Sequence, residues 1–187
     1  MIKEVVAEYS FVRINVVPKD VEICCSSLYY VSNDTFIADM GPIQTPLNVL
    51  ISDSSAKYLC EFGKKASESS KVNGKLKKIF IGRSGKRNLG NYKECLDFFT
   101  DLGFSEVFPH KLSYSEKVEL FANAEYVVGP ASSGFSNIIY CRKLKGLMLL
   151  VNTSRHTDMY FTKLANTLSI PIYFVLGKEL ISGYPDS

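Results

Sequence analysis

Three observations predict an α/β fold with a parallel sheet and helices on both faces. From Lys78 onward, short apolar runs alternate with segments of about ten residues that carry helical periodicity. Each apolar run stops at a glycine, a proline or a small polar cluster. Residues 1–50, by contrast, are rich in β-branched and aromatic residues and show no amphipathic helical stretch. Strand–helix alternation implies βαβ units, so the reading is a Rossmann-like sheet preceded by a short β-rich N-terminal segment. A length of 187 residues fits one domain with a short appendage.

In order along the chain, Phe11–Val16 alternates like a half-buried strand, and Leu28–Val31 reads as another. Pro18, Asn33-Asp34, Gly41-Pro42 and Pro46 mark turns between them. Residues 54–65 predict a short serine-capped helix, and the Lys-, Ser- and Gly-rich stretch from Gly63 to Lys78 reads as a solvated basic linker. Ile79–Ile81 is a strand. Tyr92, Cys95, Leu96, Phe99 and Leu102 line one face of a helix stopped by Gly103, and Glu106–Phe108 is the next strand. Ser113-Tyr114-Ser115-Glu116 has capping-box spacing, so a helix runs from there to Ala122. Tyr126–Val128 is a strand that enters Gly129–Gly134. A helix over Ser133–Cys141, a strand over Leu147–Val151, a helix over Asp158–Leu168 and a strand over Ile172–Val175 complete the series. The organisation is 1–50 as β-rich remnant or edge of a first domain, 51–78 as helix and linker, and 79–187 as the ligand-binding domain.

Composition narrows the function. Hydrophobic residues at 46% and charged residues at 22% are those of a globular chain, and a net charge of +3 is too small for a duplex-binding footprint. No nucleic-acid partner is expected. Cys24, Cys25, Cys60, Cys95 and Cys141 are odd in number, irregularly spaced and without a C-x-x-C, which suggests small buried hydrophobes and no disulfide framework or zinc site. Charges at Lys3, Glu4, Glu8 and Arg13 break the N-terminal apolar stretch, so neither a signal peptide nor a membrane span is read there. A reducing, cytoplasmic setting fits.

Open parallel sheets bind ligands at the carboxyl ends of their strands. Three such ends carry chemistry. After Ile79–Ile81 comes Gly82-Arg83-Ser84-Gly85-Lys86-Arg87. Its glycine spacing is wrong for a P-loop, but Arg83 and Arg87 keep their charge at any physiological pH and can grip a phosphate bidentately, with Ser84 beside them. After Tyr126–Val128, Gly129, Ser132, Ser133, Gly134, Ser136 and Asn137 form a small-residue turn into a helix, where backbone N–H groups and hydroxyls favour an anion. An ordinary serine-capped turn is the alternative there. After Leu147–Val151, His156 and Asp158 are the candidates for an acid or base, Asp158 doubling as a helix opener. His110, flanked by Pro109 and Lys111, reads as a surface loop residue.

Taken in order, Lys78-Ile79-Phe80-Ile81-Gly82-Arg83-Ser84, Arg87, Asn91, Leu102-Gly103-Phe104, Val107-Phe108-Pro109, Leu112–Glu116, Phe121–Ala124, and Val127 through Asn137 resemble the C-terminal half of glycosyltransferase family 61 over about residues 55–175. The resemblance implies a GT-B-like half whose Rossmann-like domain holds a nucleotide-sugar donor, UDP-linked by expectation. It further implies inverting transfer to a glycan or lipid-linked hydroxyl acceptor in surface polysaccharide assembly, cytoplasmic or peripheral at the inner membrane surface, with no tightly bound metal or cofactor. A companion N-terminal domain or a second copy of the chain would complete such a cleft. The sequence departs from the family pattern in three places. Ala131-Ser132-Ser133-Gly134 stands where the family has His-Gly-Ala-Gly, Tyr92 follows Asn91 in place of an acid, and no acid occurs over Leu150–Asn152. The missing loop histidine and the short N-terminal region favour the alternative of a non-catalytic, Rossmann-like nucleotide- or partner-binding module.

Overall fold

The computed structural model describes residues 36–37, 49–50, 52–69, 76–84, 89–152 and 159–178. The chain divides after Asn33, and all of these lie in the second unit, Asp34–Ser187. The strands expected at Phe11–Val16 and Leu28–Val31 fall outside the described residues. Within the second unit, β1 (Phe36–Ile37) pairs antiparallel with β2 (Val49–Leu50).

The main body is a five-stranded, all-parallel sheet of β3 (Lys78–Ile81), β4 (Ser105–Val107), β5 (Tyr126–Pro130), β6 (Gly146–Asn152) and β7 (Ile172–Gly177), ordered β4-β3-β5-β6-β7. The helices are α1 (Asp53–Ser69), α2 (Tyr92–Asp101), α3 (Tyr114–Ala122) and α4 (Met159–Thr167). Register explains the two faces. Glu106, Phe80, Val128, Met148 and Tyr173 are successive cross-strand partners, so they form one row across all five strands. On this face Phe80, Val128 and Leu150 are buried beneath α2 through Tyr92, Leu96 and Phe99. The neighbouring row of Ile79, Val127, Leu147 and Ile172 points the other way, into the larger core shared with α1, α3 and α4. Burying one such side chain contributes about 1.5–3 kcal/mol, so the near-continuous apolar strands are what a sheet covered on both faces demands.

Two expectations need correction. The stretch from Gly63 is not all linker, because α1 continues to Ser69. Gly63, Ala66 and Ser67 are buried on its inner face, and a side chain at Gly63 would collide with the Ile139 backbone. Lys-rich composition hid a buried stripe of small residues. The segment after β5 is also not an α-helix but a 3₁₀-helix, Ser133–Tyr140. It must return from the carboxyl end of β5 to the amino end of β6. Eight 3₁₀ residues span about 16 Å where an α-helix would span about 12 Å.

Elsewhere local chemistry behaves as read. Ser52 accepts a hydrogen bond from the Ser55 N–H at 3.0 Å and opens α1. At α3 both halves of the capping box are present, Glu116 N–H to Ser113 Oγ at 3.3 Å and Ser113 N–H to Glu116 Oε2 at 2.7 Å. Cys60 is buried as expected, whereas Cys95 and Cys141 are only partly so; burial pushes all three thiols up in pKa, with Glu94 adding to the effect at Cys95. No helix among the described residues is long and apolar enough to cross a membrane.

Candidate donor-binding site at the carboxyl edge of the sheet

The order β4-β3-β5-β6-β7 has a switch point. The connection leaving β3 runs outward to β4, and the one leaving β5 runs the opposite way to β6. The crevice outside the carboxyl ends of β3 and β5 is where such sheets take ligands. Three described loops meet there: 82–84 after β3, 108–112 after β4 and 131–132 leading into the 3₁₀-helix.

Arg83 crosses that crevice. It leaves the end of β3, and its guanidinium donates to the carbonyl oxygen of Ala131, just beyond β5, at 2.6 Å. The side chain is half-buried, which strengthens its field relative to open water. A guanidinium carries several N–H donors in a planar fork, and the bond to Ala131 sets the orientation of that fork.

The turn it reaches is tightly built. Ala131 N–H donates to Leu150 O at 3.0 Å, continuing the β5–β6 ladder, and Phe135 N–H donates to Ser132 O at 3.1 Å, opening the 3₁₀-helix. A Cβ at Gly134 would lie 2.9 Å from Ile81 Cγ2 and 3.4 Å from Pro109 Cγ, so the turn presses directly onto the end of β3 and the β4 loop. Asn137 braces it with a 2.8 Å bond from Nδ2 to Gly134 O. Ser132 occupies the N-cap position with extended backbone, yet its side chain makes no capping bond, which leaves the plain serine-cap reading without its defining contact. Ser136 is half-buried, whereas Ser84 and Ser133 are exposed.

One part of this edge was missed in the sequence reading. Lys111 Nζ lies 4.4 Å over the ring of Phe108, and His110 meets the same ring edge-on at 5.8 Å. Both follow β4 through the 3₁₀ turn Pro109–Lys111. The rule that selected Arg83, a cation just past a strand's carboxyl end, applies equally to Lys111. The three loops thus carry Arg83, His110 and Lys111 and no carboxylate over 82–84, 108–112 and 131–137. Their chemistry favours an anion. Arg87, His156 and Asp158 lie outside the described residues.

A second depression, a cavity of about 360 Å³, is lined by α1 through Cys60 and Lys64 and by Cys141, Leu144 and Ile170, ahead of β6 and β7. It opens at the amino ends of those strands, at the edge of the sheet opposite the switch-point crevice.

The sequence model of the family described as Glycosyltransferase 61 matches residues 5–148. The chain belongs to glycosyltransferase family 61. The family match begins ahead of the motif run, takes in the N-terminal segment and ends inside β6, so β3, β4, β5 and the switch point all lie within it. Family 61 membership makes glycosyl transfer between a nucleotide-sugar donor and an acceptor the general class of activity. No curated protein matches the chain.

Proposed function

We propose that this family 61 chain transfers a sugar, with inversion, from a UDP-linked donor to a hydroxyl of a glycan or lipid-linked acceptor, in cytoplasmic assembly of a surface polysaccharide. The Arg83–Ala131 bond across the switch point is the observation that carries the reading. It ties the one described arginine of the basic loop to the small-residue turn, at the place where a doubly wound sheet takes its ligand.

In this mechanism the acceptor oxygen attacks the anomeric carbon from the face opposite the leaving group. The bond between that carbon and the diphosphate oxygen breaks, a base takes the acceptor proton, and the nucleoside diphosphate departs with the bonding pair. Negative charge grows on the departing diphosphate, and donors already aimed at it stabilise the transition state. Arg83 supplies charge, with Arg87 and Ser84 as its sequence neighbours. Ser132, Ser133, Ser136 and the turn backbone from Gly129 through Gly134 to Asn137 supply neutral donors. His156 and Asp158 are the nominated bases. Protein cations, not a tightly bound metal, balance the diphosphate.

The test is calorimetric titration of UDP, GDP and CDP into the wild type and Arg83→Ala. Hydrogen bonds to a charged group are worth about 1.5–3 kcal/mol, so affinity for the favoured diphosphate should fall roughly ten- to a hundredfold while the melting temperature stays put. Equal affinity in both proteins would refute the donor site. The second reading, a nucleotide- or partner-binding module without turnover, is favoured by Ala131 standing where the family has histidine. Diphosphate binding without donor hydrolysis or transfer across a panel of nucleotide sugars would select it.

A further inference from the structure

The two edge strands of the main sheet are built differently. On one side β4 has three residues and carries the charge of Glu106, the kind of short, charged strand that discourages further pairing. On the other side β7 has six residues, Ile172–Gly177, with neither a charge nor a proline among them. Its pairing with β6 runs residue by residue along that whole length, without a bulge. Tyr173, Val175 and Leu176 stand exposed on it at 56%, 46% and 58%.

The pleat decides which backbone groups this edge offers. Leu147 N–H donates to the Pro171 carbonyl oxygen at 3.1 Å, so the main chain of Pro171 faces β6. Direction alternates along a strand, so Tyr173, Val175 and Gly177 face β6 as well, and the N–H and C=O groups of Ile172, Phe174 and Leu176 face outward. Among the described residues β6 is the only strand paired with β7, so those outward groups meet no ladder.

A second copy of the same edge fits it. About a twofold axis perpendicular to the sheet, two β7 strands meet antiparallel and every residue keeps its face. Placing Phe174 opposite Phe174 sets Ile172 opposite Leu176 in both directions. Every outward N–H and C=O of the strand then falls in a hydrogen-bonded pair. The closer pairs between them join Tyr173 to Val175, an aromatic ring against a β-branched side chain, and both are exposed on the single chain. Leu176 comes to lie beside Ile172, which is half-buried at the margin of the larger core. A strand that pairs with itself also meets its own charges, and this one brings none.

We propose that β7 is a self-association edge: two copies of this chain pair antiparallel through Ile172–Gly177, centred on Phe174, and join their sheets into one. Antiparallel pairing points the carboxyl ends of the two sheets in opposite directions, so each copy keeps its own switch-point crevice. A six-residue edge buries less than the roughly 800 Å² per partner of a standard interface, so the dissociation constant should be of about micromolar order.

The test is sedimentation velocity on the full chain from about 1 to about 200 µM. The mean mass should rise from monomer to dimer and stop there, because a contact between identical patches closes at two. Leu176→Pro removes an outward N–H and no bond to β6. Symmetry counts that loss twice, so dimerisation should weaken about tenfold or more. Tyr173→Lys and Val175→Glu each set a charge against an apolar partner and should weaken it comparably. Mixing Tyr173→Lys with Val175→Glu should recover dimer, because the new ammonium and carboxylate then face each other across the junction. Recovery reads the register itself, which a merely destabilised strand would not restore. Thermal melts at low concentration identify any variant that fails to fold, and the remaining substitutions then carry the comparison. A wild type that stays monomeric throughout, or a dimer indifferent to the folded variants, would overturn the proposal. So would folded Tyr173→Lys and Val175→Glu chains that do not recover dimer on mixing, or assembly that grows past two copies.

Discussion

Gly129 brings β3 and β5 together at the switch point by lacking a side chain. It sits at φ +154°, and a Cβ there would lie 2.5 Å from the Ile81 carbonyl oxygen. Gly129→Ala combines backbone strain with overpacking against main chain, and should cost about 2–4 kcal/mol. Urea unfolding would show this as a lowered midpoint, and a change under about 0.5 kcal/mol would mean that β5 can shift to make room. The sequence marked Gly129 and Gly134 as places where a ligand could approach closely. In the structure the missing side chains of both face the end of β3, so their smallness first serves contact within the chain. Residue identity alone could not distinguish those uses, because a glycine advertises space without saying what fills it.

Among the elements, α3 depends most visibly on a few atoms. Ser113 and Glu116 satisfy each other's backbone N–H groups, and the Ser113 hydroxyl holds the Glu116 carboxyl below its ordinary pKa. Ser113→Ala removes the cap and should lower stability by about 1 kcal/mol, read as a drop of a few degrees in a thermal melt. An unchanged melt would mean that packing of Val118 and Phe121 alone holds the helix. This cap was legible because four consecutive residues contain it. The 3₁₀-helix was not: Phe135, Ile138 and Ile139 suit i→i+3 and i→i+4 geometry alike, and the choice falls to the distance the crossover must span. The second half of α1 was hidden for a related reason, since its buried face uses Gly63, Ala66 and Ser67, which carry no hydrophobic signal.

Acid sensitivity belongs to the molecule as a unit, because the lowered carboxylates Glu125 and Asp53 bridge different elements. Lys145 and Lys77 hold Glu125 below its ordinary value, at 2.5 Å and 3.1 Å respectively, tying the starts of β5, β6 and β3. Lys163 does the same to Asp53, tying α4 to α1. A carboxylate with a depressed folded pKa adds stability above its unfolded value, 3.8 for Asp and 4.5 for Glu, and loses it as pH falls through the folded value. Lys145, raised by the same Glu125 bond, adds stability below 10.5 and loses it as pH rises through its folded value. Stability should therefore be flat near neutrality and decline below about pH 4.5, with a shallower acid limb in Glu125→Gln at low salt. Denaturant midpoints measured from pH 3 to pH 8 check this, and an identical acid limb in that variant would remove Glu125 from the account.

Hydrophobic period, glycine stops and the capping box are properties of neighbouring residues, so strand and helix order, and with it the parallel sheet, could be read from the chain alone. The order of strands within the sheet could not. Which connection turns left and which turns right is a matter of long-range pairing, and that pairing creates the crevice. The sequence nominated Arg83 and Arg87 alike for a phosphate; only the laying of β5 beside β3, some fifty residues on, put the Ala131 carbonyl within reach of Arg83. A binding site is a meeting of distant segments, and only folding sets the distance between them.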